Sequence, residues 1–594
     1  MLLHLWFSVG PVCPLQYTRY FSGKPTIKLN GFVVHPLASR VAIKFRMASQ
    51  WFKNAVVYCI DVDTFKDGNG DGIGDFIGLR QGLSYLAGLG VSCIWLLPFY
   101  PSPDRDNGYD ITDYIGIHPA LGDLGDFAAF MDEAANRGIR VIIDLVVNHT
   151  SDQHPWFKAA QSRDLQYFDY YVWRNDRPGD TSNEVVFPGK QKAVWQYDRT
   201  AKAYYFHRFY EYQPDLNTAN PNVRDEIKKI IGFWLALGVS GFRVDAAPFV
   251  IATKGPEAQK QPHESFVFLN EFREFLSWKR GDAVFLAEAN VPPDQMLQYF
   301  GDRGTRMNMV LNFFVNPHIF LAMANESPEP LIRSLVQLPI IPENSQWAYF
   351  LRNHDELDLS RLGELERARC FEAFGSEKKM QIYDRGIRRR LAPMLGGDMR
   401  RQLLGYSLIF TIPGTPVLWY GEEIGIGDDL HQEERNSVRT PMQWNAEPNA
   451  GFADPSVKKL RRPVIDSGEF DYRRVNVQAQ RRDPHSLLNS LERMIRTRKE
   501  YPEFGCGKWR LVESDRPDQI FAHACEDAGN AVLAVHNLSG EPLEVNVRLW
   551  SDQFDHAVFL FGDVDSKEIK DKDLAMKLPA YGYNWVRLRR NQEK

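Results

Sequence analysis

Eight short apolar runs recur at intervals along this chain, and they constrain its fold more than any other feature. They lie at 56–60, 93–98, 141–147, 241–246, 284–289, 309–313, 348–353 and 416–420. Each is long enough for a strand and too short for a helix. Between several of them lie amphipathic helical segments such as 126–137 and 223–237, the second opened by the start signal Asn220-Pro221-Asn222. Eight apolar strands alternating with helices are what a (β/α)8 barrel requires. In such a barrel all strands end at one rim, where the chemistry sits.

Three of the runs deliver carboxylates to that rim. The run Gly241-Phe242-Arg243-Val244-Asp245 carries an arginine two residues before its aspartate. Residues i and i+2 of a strand point to the same side, so Arg243 faces Asp245 and keeps it ionised and oriented. The run at 284–289 delivers Glu288, and the run at 348–353 leads into His354-Asp355. Any one of these could simply cap a strand. Three together, each followed by a loop, point to catalysis. The run at 141–147 leads into Asn148-His149, and His149 at that rim suits a contact to a substrate hydroxyl, although a lone histidine at a strand end is commonly structural. Asn107-Gly108-Tyr109-Asp110 adds an aromatic face and a further carboxylate, a pair suited to one sugar ring. Taken alone it would be an ordinary turn.

The segment from Asp67 to Asp75 places oxygen ligands at alternate positions: Asp67, Asn69, Asp71, the Ile73 carbonyl and Asp75, with glycines for the sharp turn. Gly78 occupies the position where an EF-hand has its bidentate glutamate, and a strand precedes the loop. The expectation is a rigid structural calcium loop beside the first strand; the plain alternative is a solvated Asp/Asn/Gly turn. No organic cofactor motif occurs.

Two long excursions interrupt the strand–helix rhythm. Residues 150–212 are rich in Trp, Tyr, Asp and Asn, and a structureless loop of that length is rare, so an inserted lid domain is expected there. Residues from 356 to about 399 look helical and highly charged. The barrel then comprises 47–149 and 213–503, and from about residue 504 short alternating strands with Gly, Asn and Asp turns predict an all-β C-terminal domain over 504–594. Residues 1–46 carry six Lys or Arg and no Asp or Glu. They read as a signal peptide, a transit peptide or translated upstream sequence with the start at Met47, and the last is favoured.

A net charge of −5 over 594 residues argues against a nucleic-acid surface, which needs a basic stripe. No apolar run approaches the roughly 20 residues of a membrane span. Cys13, Cys59, Cys93, Cys370, Cys506 and Cys525 show no CxxC spacing, so neither a zinc site nor a disulfide framework is indicated, and a reducing, cytoplasmic location fits. Oligomeric state is not encoded in any recognisable motif.

The segments 144–149, 241–245 and 353–355, with Glu288, resemble the four conserved motifs of the α-amylase family of glycoside hydrolases, and Gln213-Pro214-Asp215-Leu216-Asn217 resembles its fifth. The resemblance runs from about Trp51 to Leu588. It implies that Asp245 is the nucleophile, Glu288 the general acid/base and Asp355 the transition-state stabiliser. It further implies that Arg243, His149, His354 and Asp110 hold the ring at the subsite of cleavage. The segments 205–209, 346–357, 386–393 and 438–444 are similar to the trehalose synthase branch, and oligo-1,6-glucosidases share the core of the last. In those relatives the residue matching Arg439 lies beside the bound glucose. The segment 254–260 departs from that branch.

Retaining glycosyl transfer needs a carboxylate nucleophile and a second carboxyl that gives and then takes a proton. Glu288, on an apolar run, suits the second role if it is partly desolvated and kept protonated. The expected activity is interconversion of maltose and trehalose; a hydrolytic α-glucosidase is the alternative. A non-catalytic binding or assembly protein on this scaffold would be expected to lack the carboxylates and to carry a membrane anchor.

Overall fold

In the computed structural model, residues 50–255, 266–561 and 566–590 are described. The eight expected runs all form strands, and the strands close into one parallel barrel in chain order. They are β1 (Val57–Ile60), β2 (Cys93–Leu96), β3 (Arg140–Leu145), β4 (Gly241–Val244), β5 (Val284–Ala287), β6 (Met309–Leu311), β7 (Gln346–Phe350) and β8 (Thr415–Trp419). Closure is made by pairing β1 with β8 at Val57↔Val417. Nearly every strand residue is buried, as the double cover of barrel interior and outer helices demands. Most strands end two or three residues before the apolar run does. At the rim, residues such as Pro98, Val147 and Asn353 leave the ladder and turn into loops.

Side-chain caps fix the helix starts. Asp75 accepts from the Gly78 N–H at the start of Phe76–Leu89, Asp123 forms a capping box for Leu124–Asn136, and Asn220 caps Pro221–Ala236 with proline in its first turn. The insertion after β3 carries helix Pro155–Gln161 and a three-stranded antiparallel sheet of Trp173–Arg174, Ala203–Phe206 and Trp195–Asp198. The excursion after β7 carries helix Glu364–Phe374 and a second small sheet, where the sequence pattern indicated helix alone.

Among the described residues from Lys508 to Arg590 every regular element is a strand, in a six-stranded and a three-stranded antiparallel sheet. Strand Asn530–Asn537 shows how this region is seated. Ala531, Leu533 and Val535 pack into a core between the two sheets, whereas Val532 and Ala534 join the core of the barrel. The period of two thus places one face against each neighbour. Across the barrel side, Trp585 donates its indole N–H to Ser407 Oγ at 2.8 Å. Residues 1–46 lie outside the described residues, as do 256–260 of the departing segment. No described helix is long and apolar enough to cross a membrane.

Candidate active site

Asp245 and Glu288 follow immediately on the last residues of β4 and β5, and Asp355 stands five residues beyond β7. All three line one cavity of about 400 Å³ at the C-terminal rim, within the size range of small-molecule sites. Its walls also carry Tyr109, His149, Phe209, Phe249, Phe313 and Asn353.

Arg243 is the hub beneath the floor. Its Nη1 lies 2.7 Å from Asp245 Oδ1 and 3.1 Å from Asp144 Oδ2, and its Nη2 lies 2.9 Å from Glu288 Oε2. The guanidinium is 1% exposed. One cation therefore serves three carboxylates. Ala246 donates its backbone N–H to Glu288 Oε2 at 2.9 Å from a left-handed conformation, φ +46°. A non-glycine residue persists there only where its surroundings over-determine it, as at functional sites.

The charge balance departs from the sequence expectation. Burial, reinforced by the negative charges of Glu288, Asp144 and Asp355, raises the Asp245 carboxyl well above its usual range despite Arg243. Burial also pushes Asp144 up to about 6. The Glu288 carboxylate accepts two N–H donors on one oxygen. In the cluster of one guanidinium and three carboxyls, burial thus outweighs Arg243 at both Asp245 and Asp144. Asp355 behaves oppositely. Burial opposes its ionisation, but the guanidiniums of Arg435, Arg439 and Arg243 overcome this and hold its carboxyl below the usual range. Burial lowers His149 to about 4 and holds His354 well below the usual imidazole range, so both present neutral imidazoles at neutral pH.

Tyr109 binds the halves together: its hydroxyl donates to Asp144 Oδ2 at 2.8 Å and lies 2.9 Å from His354 Nε2. His354 Nε2 is in turn 3.3 Å from Asp355 Oδ2, so His354 and Arg243 support the wall from behind. His149 Nε2 contacts the Tyr109 carbonyl at 3.2 Å. Segment 213–217 closes the insertion onto this wall. Gln213 Nε2 donates to Asp106 Oδ2 at 2.9 Å, and Asp215 accepts from Asn148 at 3.2 Å and pairs with Lys254 at 3.0 Å.

Besides Arg243 and His354, two more of the expected ring-holding residues sit behind the lining. Asp110 is fully buried behind the wall, where its carboxylate accepts from Ser102 Oγ, the Asp106 N–H and Arg105 Nε. Arg439 also lies behind the wall, donating through Nε to the His354 carbonyl at 3.0 Å and standing 3.2 Å from Asp355 Oδ1. In their place Asp106 and Arg435 line the cavity. Arg435 bridges Asp355 Oδ1 at 3.0 Å and Asp106 Oδ1 at 2.9 Å. Each lies four residues before the residue singled out from the sequence.

In the 67–75 loop, Asp67 accepts from the Gly70 and Gly72 N–H groups, Asp75 from Gly68, Asn69 and Gly78, Asn69 from Asp71, and Asp71 from Ile73. Among the described residues no three His, Cys, Asp or Glu side chains gather as a metal-holding cluster. The Asp67 and Asp71 carboxylate oxygens each accept one hydrogen bond and keep a second lone pair, and an all-oxygen donor set matches the chemistry of a hard cation such as calcium. Gly72, at φ +91°, is required: a Cβ there would meet the Lys459 carbonyl oxygen at 2.2 Å.

Residues 59–507 match the family described as alpha amylase, catalytic domain, and residues 529–587 match a sucrose hydrolase-like C-terminal domain. The chain is 39% identical to the trehalose synthase/amylase TreS of Mycobacterium tuberculosis, over 94% of each protein. It is 43% identical to the trehalose synthase of Thermus thermophilus, over 82% of this chain and 50% of that one. Among solved structures, the trehalulose synthase MutB of Pseudomonas mesoacidophila, an inactive variant of which was determined with isomaltulose, superposes with a TM-score of 0.71 at 27% identity. That match covers 91% of this chain and 99% of the other.

Proposed function

The chain belongs to the α-amylase family of glycoside hydrolases, and from that premise we propose that it interconverts maltose and trehalose by retaining α-glucosyl transfer. The observation that carries this reading is the convergence of Asp245, Glu288 and Asp355 on one cavity. Asp245 attacks C1 of the bound glucosyl unit while Glu288 passes a proton to the departing glucose oxygen, giving a glucosyl ester on Asp245. The freed glucose turns over, its anomeric hydroxyl attacks C1, and its proton returns to Glu288. Asp355, kept anionic by its arginines, stabilises the positive charge in both transition states. Asp106, Arg435, Tyr109 and His149 hold the ring, and Arg243, His354, Arg439 and Asp110 hold the walls.

The first step requires Asp245 ionised, with Arg243 paired to it, and the proton on Glu288. Calcium, bound through Asp67, Asn69, Asp71, the Ile73 carbonyl and Asp75, serves as a structural ion that stiffens the loop after β1. Small α-glucosides are the only ligands the cavity needs. Buried thiols at Cys59, Cys93, Cys370 and Cys525 support a reducing compartment, the cytoplasm.

Purified protein incubated with maltose is expected to yield trehalose as the main product, with glucose as a minor one. Glucose as the sole product would make the protein a hydrolytic α-glucosidase instead.

A further inference from the structure

The cavity has a roof with its own small core. Phe187 from the insertion, and Ile382 and Tyr383 from the excursion after β7, are buried together with Val186, Phe209 and Tyr210 packed on them. This cluster is separate from the barrel core. Its underside is the cavity wall, since Val186, Phe187, Phe209, Arg385 and Arg435 all line the cavity. The roof joins three segments that are far apart in the chain. Arg385 donates to the Val186 carbonyl at 3.1 Å, and the Arg435 guanidinium lies 5.2 Å from the Phe187 ring centroid.

On the outer side of this roof one carboxylate ties all three segments together. Glu434, after β8, accepts on Oε2 from Tyr210 at 2.9 Å and from Tyr383 at 3.2 Å, and its Oε1 pairs with Lys190 at 2.9 Å. Glu434 itself is left-handed at φ +46°, and Tyr383 at φ +54°. Non-glycine residues avoid that region, and they persist in it at clamps and switches where other contacts hold them. Glu434 does not line the cavity, but its neighbour Arg435 does. A carboxylate that holds three loops to one another, and positions the residue facing the cavity, can determine how far the cavity admits water during the reaction.

We propose that Glu434 is a positioning residue that keeps the roof shut over the glucosyl-enzyme and thereby sets the ratio of transfer to hydrolysis. This rests on the glucosyl-transfer reading above. In either outcome the C1–O bond to Asp245 breaks, a new C1–O bond forms, and the attacking hydroxyl gives its proton to Glu288. Only the source of the hydroxyl differs: retained glucose or water entering through the roof.

The test uses α-glucosyl fluoride as donor and isotopically labelled glucose as acceptor, counting fluoride released, disaccharide formed and unlabelled glucose released. Glu434→Ala removes all three ties, and Lys190→Met with Tyr210→Phe removes two from the opposite side. In both variants unlabelled glucose per disaccharide is expected to rise about tenfold or more, with fluoride release within about threefold of the parent. Glu434→Gln, which keeps acceptor capacity for the tyrosines, should fall between. A merely structural role would lower the melting temperature and slow both products together, leaving the ratio fixed. An unchanged ratio in both folded variants overturns the proposal, as does a parent protein that forms no disaccharide from the fluoride. A parent that makes no trehalose from maltose, yet still partitions the fluoride between glucose and water, overturns only the maltose–trehalose reading. In that case the response of the ratio still decides the role of Glu434.

Discussion

Replacing Arg435 by alanine separates the two arginines that the chain brings near Asp355. Arg435 faces the cavity and makes one charged hydrogen bond to Asp355 at 3.0 Å and one to Asp106 at 2.9 Å. Its side chain is 12% exposed, so both bonds are largely shielded from water. A hydrogen bond to a charged group contributes about 1.5–3 kcal/mol. Each is therefore worth about 10- to 10²-fold in kcat/KM if it is needed in the transition state. Loss of both gives a fall of about 10²- to 10⁴-fold in Arg435→Ala. Arg439, behind the wall, anchors the His354 carbonyl and touches Asp355 only from the rear. Arg439→Ala is expected to lower the melting temperature more than the rate, with kcat/KM within about tenfold of the parent. Steady-state kinetics on maltose and on α-glucosyl fluoride, paired with thermal denaturation, measure both quantities. Added guanidinium ion should restore part of the activity of Arg435→Ala, because the vacated space opens on the cavity. A larger rate loss in Arg439→Ala than in Arg435→Ala at equal stability would refute the assignment.

Three further outcomes follow from the same contacts. Glu288→Gln should lose about 10²- to 10⁴-fold on maltose but retain turnover on α-glucosyl fluoride, whose leaving group needs no proton; Asp245 must be ionised to attack, so with its pKa raised the acid limb of the parent's kcat/KM should lie above the ordinary carboxylate value of about 4 and move lower when the Glu288 charge is removed. Chelation should lower the melting temperature while leaving turnover of the still-folded protein intact, and calcium at about 100 times its Kd should stabilise by about 3 kcal/mol; loss of turnover without unfolding would contradict a structural role. Trp585→Ala, which empties a fully buried site between barrel and C-terminal sheet, should cost about 3–5 kcal/mol in urea unfolding without altering kcat at 25 °C.

The barrel was legible because its signal is local and repeated. Buried parallel strands need uninterrupted apolar runs, and helix starts need capping side chains, so the runs and signals such as Asn220-Pro221 can be read directly from the chain. The Arg243–Asp245 pair was legible for the same reason, since strand geometry alone puts i and i+2 on one side. The pairing of Asp106 with Arg435 was not. These residues lie 329 positions apart on two loops, and a loop has no period to say which of two nearby charges turns inward. Tyr109-Asp110 and Arg439 drew attention from Asp106 and Arg435 because they stand in the more distinctive motifs. The roof was hidden in the same way: its core exists only when Phe187, Ile382 and Tyr383 meet. The rise of the Asp245 carboxyl was not legible either, because the sequence shows Arg243 beside Asp245 but not Asp144 and Glu288 on the same guanidinium.

The most direct test of glucosyl transfer through Asp245 is to trap the intermediate. A fluorinated α-glucosyl fluoride forms the ester and slows its breakdown, and digestion followed by mass spectrometry locates the label. The expected result is one fluoroglucosyl group on the peptide containing Asp245, with the label absent from Asp245→Asn. A label on any other residue, or an Asp245→Asn variant that turns over maltose at the normal rate, would contradict the account.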